Sequence, residues 1–107
     1  MARIRRVMPV LIAIAVCASF SYRECYSEES GEALFKKYCA VCHVNGGNIV
    51  NPLKTFQKKD LDANNVNTVD DVIRIMRNPG TGMTKFNEKT IPEAKARKIA
   101  EYILSAF

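Results

Sequence analysis

An all-α fold is expected of this chain: one small domain behind an N-terminal leader. Three observations predict it. Apolar residues recur at helical spacing in three stretches, each with a start or stop signal beside it. Nothing in the chain alternates strands and helices as a βαβ unit would. Residues 39–43 read Cys-Ala-Val-Cys-His, which places two sulfurs and an imidazole within little more than one helical turn.

The first 27 residues stand apart. Arg3, Arg5 and Arg6 form a basic start, and Val7 to Val16 is apolar except for Pro9. That run is far short of the roughly 20 residues that span a bilayer as a helix. With small and polar residues following it, it is expected to be an export signal. Cleavage after Ala18 or near Ser27 suits an ordinary signal peptidase. Cys17 opens a second route, because it lies directly after the apolar run, where a lipid-bearing cysteine would lie. Val16 departs from the small residue usual before such a cysteine. A retained unpaired cysteine is a liability in an oxidising compartment; lipidation would occupy Cys17, and cleavage near residue 27 would remove both Cys17 and Cys25.

From residue 28 the first helix is expected over Ser30 to about Ala40, with Leu34, Phe35 and Tyr38 on one face. Gly31, one turn before Phe35, either opens the helix or lets a second helix approach. Val44-Asn45-Gly46-Gly47-Asn48 is a loop by composition, and Asn51-Pro52 continues it. Pro52 either puts a backbone carbonyl near the outer nitrogen of His43 or is a simple turn residue. Residues 54–60, with four charges around Phe56, form a short helix or a loop. The next helix is clearer: Thr68 caps it, Asp71 completes a capping box, and Val69, Val72, Ile73 and Met76 form its apolar stripe. Asn78-Pro79-Gly80 stops it. Met76 therefore reads as core. The last helix begins near Pro92, suited to a first helical position, with Ala96, Ile99, Ala100, Ile103 and Phe107 inward.

The full chain carries a formal charge of +5, but from residue 28 onward 12 Lys/Arg face 10 Asp/Glu, leaving +2. The basic balance thus belongs largely to the leader and gives no reason to expect a nucleic-acid partner; no basic stripe with interleaved aromatics exists. The roughly 80 residues past the leader make a small core, and a bound apolar group would supply part of what is missing.

Cys39-Ala40-Val41-Cys42-His43 is the attachment signature of a c-type haem. Each cysteine forms a thioether with one haem vinyl group, and His43 binds the iron. The rival chemistries fare worse. A structural zinc ion needs four ligands, whereas past residue 27 the chain offers Cys39, Cys42 and its one histidine. A thioredoxin-like dithiol needs the βαβ context that is missing. Export and attachment reinforce each other, because covalent haem attachment of this kind takes place outside the bacterial cytoplasm. The segment Asn78-Pro79-Gly80-Thr81-Gly82-Met83-Thr84-Lys85-Phe86 supplies the second ligand: Gly80 and Gly82 permit tight turns with positive φ, the chain delivers the Met83 sulfur to iron, and Phe86 packs on the haem. A single attachment motif means one haem.

Together, Gly31-x-x-Leu34-Phe35-x-x-x-Cys39-x-x-Cys42-His43, Lys54-Thr55-Phe56 and Asn78 to Met83 resemble a class I c-type cytochrome of the cytochrome c6-like branch. The pattern is also similar to small monohaem cytochromes of metal-reducing bacteria, some of them outer-membrane-associated lipoproteins. The resemblance implies helices wrapped around one haem, with the first and last crossing where Gly31 and Phe35 meet Tyr102, and His43 and Met83 as the axial pair. It implies a haem pocket that includes Phe35, Pro52, Phe56, Gly82 and Phe86. Thr84 departs from the proline common after the ligand methionine. The expected function is one-electron transfer, without catalysis, by a monomer in the periplasm or held at the outer membrane by a lipid on Cys17. Donor and acceptor are redox proteins that dock on an apolar rim of Val41, Val44 and Thr84 bordered by Lys85. The rival function is a haem-based sensor or peroxidase-like enzyme in which Met83 is displaceable.

Overall fold

The computed structural model describes residues 28–107. The expected export signal over residues 1–27, with Cys17 and the cleavage sites, lies outside them. Among the described residues the fold has four α-helices: α1 (Gly31–Tyr38), α2 (Lys58–Ala63), α3 (Val69–Arg77) and α4 (Glu93–Ala106), with a tight turn at Val44–Gly46. Among the described residues there is no β-strand.

α1, α3 and α4 begin where the local chemistry says they should. Ser30 caps α1, its hydroxyl accepting from the Ala33 N–H at 3.1 Å. Thr68 and Asp71 form a reciprocal capping box on α3: the Thr68 hydroxyl accepts from the Asp71 N–H at 3.1 Å, and the Asp71 carboxylate accepts from the Thr68 N–H at 3.0 Å. That satisfies two donors a helix start otherwise leaves open. Pro92 precedes α4 as its cap, with extended ψ of 155°, and the helix proper begins at Glu93. Proline has no N–H to offer, so either position suits it. The 54–60 stretch resolves into a turn followed by α2.

α4 packs across both α1 and α3. The core comprises Leu34 and Phe35 from α1, Val72, Ile73 and Met76 from α3, Ala96, Ile99, Ala100 and Ile103 from α4, and Val66 and Ile91 from the connections. Met76 is the expected core residue, 3% exposed. The α1–α4 crossing is close because Gly31 has no side chain. A Cβ there would stand 2.3 Å from the Lys98 carbonyl oxygen and 3.0 Å from the Tyr102 Cβ. Phe35 meets Tyr102 one turn on, with ring centroids 5.3 Å apart. Gly31 thus both opens α1 and admits α4.

Candidate functional site

The 39–43 segment continues the turn that ends α1. The Cys39 and Ala40 N–H groups donate to the Phe35 carbonyl at 2.8 and 3.0 Å, and the Cys42 and His43 N–H groups donate to the Cys39 carbonyl at 3.3 and 3.0 Å. This single turn presents Cys39, Cys42 and His43 to one cavity. Cys39 is buried and Cys42 exposed. Burial pushes the Cys39 thiol up to about 11 from an ordinary 9.0, because a thiolate loses its hydration there.

His43 is 9% exposed. Its Nδ1–H donates to the Gly47 carbonyl at 2.8 Å, which leaves Nε2 with the lone pair a metal needs. The partner expected from Pro52 thus comes from Gly47. The physical reason is the turn: Asn45 and Gly46 both take left-handed backbone (φ 51° and 78°), which reverses the chain and returns the Gly47 carbonyl to the ring four residues back. Pro52 is exposed and does not border the cavity. The loop before it is organised by Asn48. The Asn48 Oδ1 accepts from the Val50 and Asn51 N–H groups at 2.9 and 2.8 Å, and its amide donates to the Lys54 carbonyl at 3.0 Å. The Asn-rich composition signalled a turn here, without saying which Asn is its hub.

Across the cavity lies the 78–86 segment. The Phe86 N–H donates to the Met76 carbonyl at 2.9 Å. Arg77 Nη1 donates to the Ile91 carbonyl at 2.8 Å and the Phe86 carbonyl at 3.3 Å. These bonds anchor the far end of the loop to α3 and to the entry of α4. Of the two glycines expected to turn it, Gly82 has positive φ (95°) and Gly80 does not. Gly82 also meets the opposite wall: a Cβ there would stand 2.9 Å from Val50 Cγ1. The two loops therefore touch at the cavity mouth, a contact no local pattern announces.

The cavity encloses about 510 Å³, within the range of small-molecule and cofactor sites. Cys39, Cys42, His43 and Met83 all border it, as do Phe56, Gly82 and Phe86. Phe35 does not. It lies behind Phe56, edge-on at 6.0 Å, at the crossing of α1 and α4, so its expected place in the pocket is corrected to a place supporting the pocket. Val72, Ile75, Leu61 and Ile103 give the cavity apolar walls, and Lys54 and Arg74 place cations on its lining. An apolar slot with two thiols at one edge, one imidazole with an available lone pair and the thioether sulfurs of Met76, on α3, and Met83, on the loop, contains the donor set of a c-type haem.

Comparison with known proteins agrees. A family model described as cytochrome c oxidase, cbb3-type, subunit III matches residues 27–103. Cytochrome c6 of Cyanidium caldarium is 30% identical over 99 residues, covering 90% of this chain and 89% of its own. Cytochrome c6 of Rippkaea orientalis is 36% identical over 76 residues, covering 71% of this chain and 68% of its own. Among solved structures, OmcF, the outer membrane cytochrome F of Geobacter sulfurreducens, superposes with a TM-score of 0.71 at 47% identity. That match covers 73% of this chain and 99% of OmcF.

Proposed function

The chain belongs to the small class I monohaem c-type cytochromes and carries one covalently bound haem c as an electron carrier; on that premise we propose that Cys39 and Cys42 hold the haem, that His43 and Met83 are its axial ligands, and that it serves an extracytoplasmic respiratory chain. The observation that carries this reading is that one turn and one loop, forty residues apart, bring both thiols, His43 and Met83 to the lining of a single apolar cavity.

When bound, the haem supplies an iron that exchanges one electron, and imidazole–thioether ligation raises its potential above that of two imidazoles. The protein's own contribution is to hold the ligands still. The Gly47 carbonyl orients His43 and raises its basicity as a donor. Arg77 and the Phe86–Met76 hydrogen bond keep the Met83 loop in place. The apolar walls exclude water and so disfavour the more highly charged oxidation state. Ligands that stay bound in both states leave little to rearrange on electron transfer.

Exchange with donor and acceptor proteins takes place at the cavity mouth. Val41, Val50 and Thr84 border the cavity, and Val41, Val44 and Val50 are all more than half exposed, which supports the expected rim of Val41, Val44 and Thr84. Patches of this kind mark docking surfaces, and Lys85 stands at the border to orient an acidic partner. The described residues contain no helix long and apolar enough to cross a membrane. Export through the leader places the protein in the periplasm, free after cleavage after Ala18 or near Ser27, or held at the outer membrane if Cys17 carries a lipid.

A potentiometric titration of the holoprotein tests the function. A single reversible one-electron wave, with no binding of carbon monoxide to the ferrous protein at neutral pH, is the expected result. Rapid carbon monoxide binding would mean that Met83 yields its place, and the protein would then be a haem-based sensor or a peroxidase-like enzyme.

A further inference from the structure

The hydrogen bond from Nδ1 to Gly47 fixes one edge of the His43 ring. Carbonyl oxygens accept over a broad range of directions, so this bond alone leaves the ring free to rock. The face of the ring is held by something else. Phe56 stacks on His43 with centroids 4.4 Å apart and planes 21° from parallel.

Phe56 is itself fastened on three sides. Its N–H donates to the Gly46 carbonyl at 2.7 Å, inside the same turn that presents Gly47. Phe35 meets it edge-on, and Phe107 lies at 5.9 Å. Phe107 follows α4 and fills the space left by the missing side chain of Gly46, where a Cβ would come within 2.4 Å of its ring. It also contacts Phe35 at 5.6 Å and Tyr102 at 5.8 Å. An unbroken aromatic series therefore runs from the α1–α4 crossing through Phe107 and Phe56 to the face of His43.

We propose that Phe56, backed by Phe107, is a positioning residue that fixes the rotation of the His43 imidazole about its bond to iron. The inference rests on the reading of His43 as an axial ligand and adds to it: Gly47 sets which nitrogen binds, and the aromatic pair sets the plane in which the ring lies. The plane of an imidazole ligand directs the unpaired electron of low-spin ferric iron, so the ring angle has a spectroscopic signature independent of stability.

The test is the electron paramagnetic resonance spectrum and the paramagnetically shifted haem-methyl proton resonances of ferric holoprotein, with thermal unfolding followed in parallel. In Phe56→Leu the rhombic splitting and the spread of the methyl shifts are expected to change. In Phe107→Ala they move in the same direction by less, and in Phe56→Tyr they return to the wild-type pattern. Phe107 is 36% exposed, so its variant carries the test even where Phe56→Leu fails to fold. A lowered melting temperature in Phe107→Ala or Phe56→Leu with unchanged spectra would overturn the proposal. A wild-type spectrum without low-spin signals would overturn His43 and Met83 ligation itself, separately from the effect of either phenylalanine.

Discussion

At single residues, the chemistry that could be read from the sequence is the chemistry written in near neighbours. Cys39, Cys42 and His43 occupy one turn because their spacing is that of one turn, and Thr68 and Asp71 cap α3 because two residues three positions apart close a box on themselves. Of the two readings open for Pro52, the turn residue stands, for the complementary reason. Two residues in left-handed backbone, Asn45 and Gly46, decide which carbonyl returns to the imidazole, and a loop's composition does not specify which of its residues will do so. Asp71 offers a sharp test at this scale. Hydrogen bonds from the Asn67 N–H, the Thr68 hydroxyl, the Arg74 guanidinium and the Thr68 N–H hold its carboxyl down at about 2 from an ordinary 3.8. A carboxylate stabilised in the fold contributes stability that is fully present above its unfolded pKa of about 3.9. That stability is lost as the pH falls through the folded value. Asp71→Asn should therefore melt below wild type at neutral pH, and the two melting curves should converge as the pH is lowered from about 4 to about 2.

Among the elements, α1, α3 and α4 were legible because apolar stripes and caps are local, and the loops joining them were legible only as loops. Gly31 shows where the two kinds of information meet. As a residue it suits a helix start; its other role, admitting Lys98 and Tyr102, exists only once α4 has packed. Gly31→Ala should therefore destabilise the holoprotein by about 1–3 kcal/mol, the cost of forcing a methyl group into a filled contact, although alanine is the better helix former. Thr68→Ala, which removes a cap and disturbs no packing, should cost about 1 kcal/mol. Denaturant melts of the two variants check both figures, and a stabilised Gly31→Ala would show that the helix crossing is looser than its geometry. Phe56 marks the limit of pattern reading: it looked like one apolar residue in a charged stretch, and its partner His43 lies thirteen positions away.

For the molecule as a whole, the sequence foretold a small helical domain around a bound group, and the fold is organised accordingly: its core is modest and its largest feature is a cavity. What the chain could not announce is how the cavity closes, with Val50 against Gly82 joining the two ligand-bearing loops. Charge at that rim should govern encounter more than equilibrium. Lys85→Glu is expected to slow electron exchange with an acidic partner at low ionic strength and to have little effect at high salt, where screening shortens the reach of charge; stopped-flow rates across a salt series check this. The central claim is that His43 and Met83 hold the iron together, and the ferric absorption spectrum addresses it most directly. The holoprotein should show the weak sulfur-to-iron charge-transfer band. Met83→Ala should abolish it, and Met76→Leu, which alters the other cavity-lining methionine among the described residues, should leave it intact. A wild-type spectrum with haem bound and the band missing, or a band that survives Met83→Ala, would contradict the account.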